Sequence, residues 1–486
     1  MPAASPNDGP LNAAQRTAVA SLLQVAPVID ELGERFLAAG EEVALVGGPV
    51  RDALLGRWDA PDLDFTTSAR PDTIEKLVRG WADAVWDVGR DFGTIGCRKG
   101  EWKLEITTYR ADVYQASSRK PEVLYGDSIH GDLVRRDFTV NAMALRLPSW
   151  EFVDPYGGLR DLAERVLRTP GTPESSFEDD PLRMLRAARF AAQLGFEVDQ
   201  AVVEAMAKMA ERVDIVSAER IRDELVKLVC APQPRLGLSL LVYTHLAERI
   251  LPELPALRLE RDEHHRHKDV YEHTLTVLEQ AIDLEDRLPF DAPDFVVRMA
   301  ALMHDVGKPR TCRYHTDGSV TFHHHDVVGA KMTRKRMKAL RFSNEDTDAV
   351  SHLVALHLRF HGYGSGEWTD SAVRRYVRDA GDQLPRLHVL TRADCTTRNR
   401  RKADRLRRTY DHLEERIEWL TEQEELSAMR PDLDGNEIMQ TLGIEPGPEV
   451  GQAYRYLLDL RIEEGPLGPE RARDELLSWW SSRRQD

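Results

Sequence analysis

The chain has no run of apolar residues approaching the roughly 20 that a membrane helix needs. With 30 % of its 486 residues charged, no membrane association is expected. Its N-terminus, MPAASPNDGP, lacks the basic start and apolar segment of a secretory signal, so the cytoplasm is the expected location. Cysteine is scarce. Cys97, Cys230, Cys312 and Cys395 show no CxxC pairing, which argues against a disulfide framework and a cysteine zinc site and leaves thiols expected to be buried. Basic residues are in the minority, 66 against 82 acidic ones, for a net charge of −16. That sum, taken alone, weighs against a nucleic-acid partner, because phosphate contacts rest on Lys and Arg. Where the basic residues cluster matters more than their total. No tandem repeat or low-complexity segment stands out.

What is present suffices for several hydrophobic cores. The length predicts two to four domains, and 42 % hydrophobic residues supply their interiors. The stretch AVASLLQVAPVIDELGERFLAAG has apolar residues at helical spacing and ends at Gly40. From Val43 to about Leu147, short apolar segments (VALVGG, LDFTT, GTIGCRKG, WKLEITTYR, AMALRL) alternate with helical ones, the pattern of a sheet-containing head. Past DPYGGLRDL the strands are expected to stop, and from Pro181 onward nearly every segment has helical periodicity.

Within the head, PDLDF places Asp62 and Asp64 two residues apart, hence on one face of a strand, with Leu63 and Phe65 on the core face. Two carboxylates so close repel, and a divalent cation is the usual counter-charge. Glu105, alternating with Leu104 and Ile106, offers a third. Acidic groups on adjacent strands can hold two ions about 3.5 to 4 Å apart, an arrangement suited to phosphoryl displacement. Just upstream, VALVGGPVRD runs a strand into Gly47 and Gly48 and then a helix start with Arg51, where backbone N–H groups favour an anion. A phosphate-cradling turn beside a metal-binding pair is equipment for holding a nucleoside triphosphate on Mg²⁺.

The Gly-Gly-x-Val-Arg-Asp-x-Leu-Leu-Gly run followed by Asp-x-Asp resembles the head of the polymerase-β nucleotidyltransferase superfamily. More narrowly it resembles the class II tRNA nucleotidyltransferases (CCA-adding enzymes) and their bacterial poly(A) polymerase relatives. The likeness continues through RRDFTVNAMA, DPYGGLRDL, DDPLRMLRAARFAAQLGF and SAERIRDEL, about Leu45 to Leu228. It implies an α+β fold: a polymerase-β-like head with a small sheet, then a mostly α-helical body with an HD domain and a helical tail. The corresponding divisions are 1–40 for an N-terminal helix, 41–165 for the head, 166–258 for a neck, 259–410 for the HD-type domain and 411–486 for the tail. It further implies catalysis by Asp62, Asp64 and Glu105 with Mg²⁺, tRNA as partner, and ATP and CTP as substrates. Nucleotide-binding roles fall to Gly47, Gly48, Arg51, Arg136, Asp137, Asn141, Asp180, Arg183 and Arg186, with Asp137 accepting from a ribose 2′-hydroxyl.

Asp180 before Pro181 also reads as an ordinary helix cap. In the family this stretch recognises the incoming base, and here it reads Asp179, Asp180 and Arg183, with Asp179 where the family pattern usually has glutamate. Cytosine and adenine both present an exocyclic amine donor beside a ring-nitrogen acceptor, so one carboxylate and one guanidinium satisfy either. Uracil and guanine reverse both polarities, and each buried polar group left unpaired costs about 1–3 kcal/mol. Gly157 and Gly158 occupy the family's hinge segment. The polar stretch from Asp112 to Asp132 takes the place of its flexible loop, and its length favours full CCA addition.

Farther along, VYEHTL, MHDVGKP, FHHHDVVGA and TRADCTTR resemble an HD-type metal phosphohydrolase. The resemblance implies that His273, His304, Asp305 and Asp394 hold a divalent metal whose identity is open. His325 and His357 remain as imidazoles for a second ion. Lys331, Arg334, Lys335 and Lys338 share one helix face. With Arg400 and Arg401, from the basic run 398–408, they are candidate RNA phosphate contacts. The segment from DLDGNEIMQ to RIEEG resembles the tail that reaches the tRNA body. Competing readings are a poly(A) polymerase, which incorporation of CTP separates, a phosphohydrolase whose head only binds nucleotide, and a non-catalytic RNA-binding protein.

Overall fold

The computed structural model describes residues 27–57, 62–110, 125–126, 128–258, 269–316, 320–360, 368–396, 399–424 and 430–483. The expected flexible loop falls mostly at 111–124, outside the described residues. The chain divides into two compact units, Met1–Ile250 and Leu251–Asp486.

In the first unit, helix α1 (Val28–Ala38) buries Val28, Ile29, Leu32 and Phe36 and stops before Gly40, whose φ is +76°. This is the second half of the helix that the periodicity predicts. A seven-stranded sheet follows in spatial order β3-β4-β5-β2-β1-β6-β7, built from β1 (Val43–Val46), β2 (Asp62–Thr67), β3 (Ala84–Trp86), β4 (Thr94–Lys99), β5 (Trp102–Thr108), β6 (Ala144–Leu147) and β7 (Glu151–Val153). The pair β2/β5 is parallel and all other neighbours are antiparallel. All four residues of β1 are buried, as its unbroken VALV run requires at the sheet's centre. In β2, by contrast, Leu63 and Phe65 are buried while Asp62 and Asp64 are exposed, the alternation of a half-covered strand.

Helix α2 (Gly48–Leu54) follows β1, α3 (Pro71–Val78) follows β2, and α4 (Ile129–Val134) precedes the RRDFTVN turn. The DPYGG segment is tied down more tightly than a loose hinge. Asp154 accepts from the N–H groups of Gly158 (2.6 Å) and Leu159 (2.9 Å), and a Cβ at Gly158 would fall 2.2 Å from the Thr139 carbonyl oxygen. These glycines permit close packing of α5 (Gly158–Glu164) on that turn.

The neck is helical. After α6 (Pro173–Asp179), helix α7 (Leu182–Leu194) is buried along most of its length and ends at Gly195 in the left-handed region. It packs against α9 (Ala218–Val229) and α10 (Pro234–Tyr243), with α8 (Gln200–Met209) preceding them. The contact with α10 needs Gly237, where a Cβ would lie 2.3 Å from the Ala188 carbonyl oxygen. Strands do recur beyond the head, contrary to expectation, as two-residue pairs: Val166–Leu167 with Glu197–Val198, and Arg313–Tyr314 with Val320–Thr321. Cys97 alone is fully buried, the other three being half-buried, and all four are free thiols.

In the second unit, α11 (Val270–Asp283), α12 (Phe295–Met303), α13 (His325–Ala339), α14 (Asn344–Leu356), α15 (Asp370–Ala380) and α16 (Leu384–Ala393) pack together around buried Val, Leu, Ala and Met side chains. A long helix, α17 (Arg400–Glu424), follows. The tail helices α18 (Gly435–Leu442), α19 (Pro448–Glu464) and α20 (Pro469–Arg483) enclose a small core of Leu433, Ile438, Ala453, Leu457, Ala472 and Leu476. No described helix is long and apolar enough to cross a membrane.

Candidate functional site

The parallel pairing of β2 with β5 sets Asp64 beside Glu105 and Asp62 beside Lys103. Side chains at i and i+2 share a face, so these four charged groups form one patch. Lys103 Nζ donates to Glu105 Oε1 at 2.9 Å and lies 4.0 Å from Asp62 Oδ1. Crowding has an electrostatic signature at Asp64: the protein around it removes water, Glu105 and Asp62 repel it, and its pKa is raised despite the counter-pull of Arg136. A carboxylate pair so placed fits a hard divalent cation, which would relieve the repulsion. The patch opens into a cleft of about 250 Å³ lined by Asp64, Glu105, Thr107, Arg110, Asp132, Arg135 and Arg136. Lys103 and Arg110 escaped the sequence reading. The i, i+2 spacing of Lys103 from Glu105 was the signal for the first, whereas only the folded sheet brings Arg110 to the cleft.

Gly47 borders this cleft. Its φ of +77° suits glycine, and a Cβ there would sit 2.9 Å from Arg136 Nη1 and 4.0 Å from Asp64 Oδ2. The turn and the carboxylates are therefore neighbours. Arg51 lies on the inner side of this turn. Its side chain is buried, donates from Nε and Nη2 to both oxygens of Asp52 at 2.8 Å, and donates from Nη1 to Asn141 Oδ1 at 2.6 Å. It braces the turn from behind.

Asn141 hands the network on. Its Nδ2 donates to Asp137 Oδ1 (3.0 Å), which also accepts from the Phe138 N–H (2.8 Å), while Arg186 donates from Nε (2.8 Å) and Nη2 (2.5 Å) to Asp137 Oδ2. Burial works against charge on Asp137, but Arg186 and these donors hold its pKa down at about 2. Both oxygens of Asp137, the expected acceptor for a ribose hydroxyl, accept from protein donors here and join the head segment to the neck. Arg186 and Arg189 lead on to buried Glu224 of α9 at 3.8 and 2.8 Å. The guanidinium groups of Arg51, Arg186 and Arg189 lie 5.2, 5.4 and 4.0 Å from the Phe190 ring centre.

The base-reading candidates sit at the start of α7. Asp180 Oδ1 accepts from the Leu182 N–H (3.1 Å), as a cap does, and Oδ2 accepts from Arg220 Nη2 (2.6 Å). Arg183 donates to Ser176 Oγ (2.9 Å), to the Ser176 carbonyl oxygen (3.2 Å) and to the Arg135 carbonyl oxygen (2.5 Å), while Asp179 lies 4.0 Å away. Arg183 thus touches the head segment that holds Arg135 and Arg136, while Asp180 is tied to α9 through Arg220.

In the second unit, His273 of α11, His304 and Asp305 after α12, and Asp394 after α16 converge. His273 Nε2 lies 3.0 Å from Asp394 Oδ1 and 3.6 Å from Asp305 Oδ2, and His304 Nε2 lies 3.2 Å from Asp305 Oδ2 and 3.7 Å from Asp394 Oδ1. Burial would lower the His304 pKa, but Asp305 outweighs it and the value is raised. Burial equally opposes charge on Asp305, yet His304 and Lys308 hold its pKa well below the usual carboxylate range. Imidazoles and carboxylates at this spacing suit a transition-metal ion, and the donor set fits one.

Lys331, Arg334, Lys335 and Lys338 are all exposed on α13, although Arg334 pairs with Asp348. Arg400 and Arg401 begin α17, and Arg401 is exposed. Arg398 of that basic run lies outside the described residues.

Three family models match the chain in succession: "Poly A polymerase head domain" over residues 43–168, "Probable RNA and SrmB- binding site of polymerase A" over 195–257, and "HD domain" over 270–399. Over 444 residues the chain is 35 % identical to the A-adding tRNA nucleotidyltransferase of Deinococcus radiodurans, covering 90 % of this chain and 95 % of that one. Over 448 residues it is 31 % identical to the CC-adding tRNA nucleotidyltransferase of Thermus thermophilus, covering 90 % and 94 %. The CCA-adding enzyme of Bacillus stearothermophilus, solved in complex with CTP, shares the fold at a TM-score of 0.67 and 22 % identity, over 98 % of this chain and 100 % of that one.

Proposed function

The chain belongs to the tRNA nucleotidyltransferase family, and on that premise we propose that it completes tRNA 3′ ends with CMP and AMP, using CTP, ATP and Mg²⁺. One observation carries the reading: Asp62, Asp64 and Glu105 share an exposed face at the mouth of a cleft whose other walls are Arg110, Arg135 and Arg136. Anionic phosphates fit the guanidinium side, and cations fit the carboxylate side.

Asp62 and Asp64 would hold Mg²⁺, which when bound would supply Lewis-acid charge at the α-phosphate as the terminal ribose hydroxyl forms its new P–O bond and pyrophosphate leaves. The chain's own residues do the rest. Arg110, Arg135 and Arg136 neutralise the triphosphate oxygens, and the Gly47 turn lets the backbone approach them. Asp180 accepts from the exocyclic amine of cytosine or adenine, and Arg183 donates to the neighbouring ring nitrogen. To do so each exchanges a contact made in the nucleotide-free protein, Arg220 for Asp180 and Ser176 for Arg183.

The test is a tRNA lacking its last three nucleotides, incubated with each NTP in turn and sequenced. CTP incorporation followed by ATP incorporation is the expected product, and repeated ATP addition without CTP would indicate a poly(A) polymerase. The Deinococcus relative favours a narrower second reading, AMP addition alone, for which only a tRNA already ending in CC is a substrate. Replacing Asp180 by Ala is expected to lower the preference for CTP and ATP over UTP and GTP by about 5- to 150-fold, the equivalent of about 1–3 kcal/mol. Unchanged discrimination in competition assays would remove Asp180 from base reading. Gly47→Ala strains the left-handed turn and pushes on Arg136, and is expected to raise the KM for NTP about tenfold with a smaller change in kcat. Steady-state kinetics check it.

The second unit carries a metal-dependent phosphohydrolase centre on His273, His304, Asp305 and Asp394. Lys331, Arg334, Lys335, Lys338, Arg400 and Arg401 contribute phosphate contacts to tRNA.

A further inference from the structure

Asp62, Asp64 and Glu105 share their face of the sheet with an ammonium group that has no part in the nucleotide contacts. Lys103 stands two residues before Glu105 on β5 and directly opposite Asp62 on β2. Its Nζ donates to Glu105 Oε1 at 2.9 Å and lies 4.0 Å from Asp62 Oδ1. Stability does not account for it. The Lys103 and Glu105 side chains are 46 % and 47 % exposed, and an ion pair that open to water contributes little to folding. Nor does Lys103 belong to the basic wall of the cleft, which is formed by Arg110, Arg135 and Arg136.

The neighbouring strand steers this ammonium toward the acids. On β4, Arg98 pairs with Lys103 and Gly96 pairs with Glu105. Residues directly opposite each other on adjacent strands point to the same face, and like charges so placed repel. Arg98 therefore drives the Lys103 head away from β4 and toward Asp62. Gly96 has no side chain to offer Glu105. A Cβ there would fall 2.0 Å from Trp86 Nε1, so the indole from β3 fills the space over that position. Among the described residues, Glu105 forms an ion pair with Lys103 and with no other cation.

A divalent ion drawn to this patch seeks oxygens that the ammonium already covers. We propose that Lys103 is a tethered counter-cation: it holds Glu105 while the patch carries no ion, gives that carboxylate up when an ion enters, and so sets how tightly the head binds its metal. The inference rests on, and extends, the reading of Asp62, Asp64 and Glu105 as a metal site. Two cations at contact distance on one carboxylate repel, and a unit charge about 4 Å from a divalent ion at a surface is enough to change its affinity about tenfold. Lysine suits the exchange because its charge rides on a flexible stem that can swing away into solvent. Until then it offsets the mutual repulsion of the three acids.

The test uses the full chain without nucleotide. Mn²⁺ is titrated and its free form read by EPR, and ions bound outside the head are counted in the chain carrying Asp62→Asn and Asp64→Asn and subtracted. Lys103→Met is expected to tighten Mn²⁺ binding to the head about tenfold, whereas Lys103→Arg, which keeps the charge, should stay within about threefold of wild type. A second readout follows the lysine itself, by reductive methylation of the wild-type chain and peptide mass spectrometry. Freed from Glu105 and set beside a dication, the Lys103 amine loses its proton more readily and should react about threefold faster with Mg²⁺ than without. Lys99, which donates to the Trp81 carbonyl (2.7 Å), is the internal control and should keep its rate. Mn²⁺ affinity of Lys103→Met within about twofold of wild type, or a methylation rate at Lys103 that Mg²⁺ leaves unchanged, overturns the exchange and spares the metal site. Equal Mn²⁺ binding by the wild type and the Asp62→Asn/Asp64→Asn chain overturns both.

Discussion

Asp64→Asn is expected to cut nucleotidyl transfer about a thousandfold, because loss of one metal carboxylate removes several kcal/mol of charge stabilisation and each ~1.4 kcal/mol is a factor of ten. The same change is expected to make the metal-free protein more stable. Asp64 titrates above its ordinary value because the cleft wall around its exposed side chain displaces part of its water and because Glu105 and Asp62 repel it. A raised carboxyl means that folding disfavours the charged form. The cost is present above the folded-state pKa and disappears as pH falls through it. The substituted amide has no charge to lose, so the variant's thermal midpoint should exceed that of the wild type at pH 7, with the gap narrowing as pH is lowered. Added Mg²⁺ should raise the wild-type midpoint by more than the variant's. Single-turnover primer extension and thermal unfolding of the full chain measure both halves. Transfer within tenfold of wild type would sink the assignment of Asp64 as a metal ligand, whatever the stability does.

Those opposing effects explain why the head was legible from sequence. A strand alternating Leu63 and Phe65 with Asp62 and Asp64 cannot be justified by packing, so it announces a site, and the strand period alone sets which face the acids take. Glu105 was legible for the same reason. Lys103 obeys the same period, but a lysine beside acids reads as solvated surface until the register sets it opposite Asp62. The partners that Arg51 and Asp137 find in the fold were not legible. Family position put both residues at the nucleotide, whereas the direction in which a buried arginine points depends on partners far along the chain. Asn141 is 90 residues from Arg51, and Arg186 is 49 from Asp137. No local pattern encodes such pairings. The second unit shows the converse: its ligands lie on separate helices across more than a hundred residues, and the resemblance in motif order gathered them before the fold did. That Asp305 turns one oxygen toward His304 and the other toward His325 is a fact of side-chain geometry alone.

The longest-range of these pairings also yields a measurable consequence. Asp137→Asn leaves a neutral amide between the Phe138 N–H, Asn141 and Arg186, and its NH₂ group meets a guanidinium that has only donors to offer. Breaking a fully buried ion pair costs about 3–5 kcal/mol. The Arg186 side chain retains 32 % exposure, so about 2–3 kcal/mol is expected here at pH 7. The sign of the pH dependence follows from a folded-state pKa of about 2, below the unfolded value of about 3.9. Stability from Asp137 is fully present above about pH 5, declines as the unfolded chain binds its proton near pH 4, and is lost as pH falls through about 2. The difference between wild type and variant should therefore be flat from pH 8 to 5 and shrink below that. Arg186, released, turns to Glu224 at the other end of the network, and the α7 start that presents Asp180 and Arg183 is left tied to the head through Arg183 and the Arg135 carbonyl. The KM for both CTP and ATP should rise while discrimination against UTP stays, since the reading groups are intact and only their placement is disturbed. Arg186→Met in the same background removes the stranded charge and should restore part of the stability. If the double variant is as unstable as the sum of the single ones, the pair is not coupled, and Asp137 joins head to neck by some means other than Arg186.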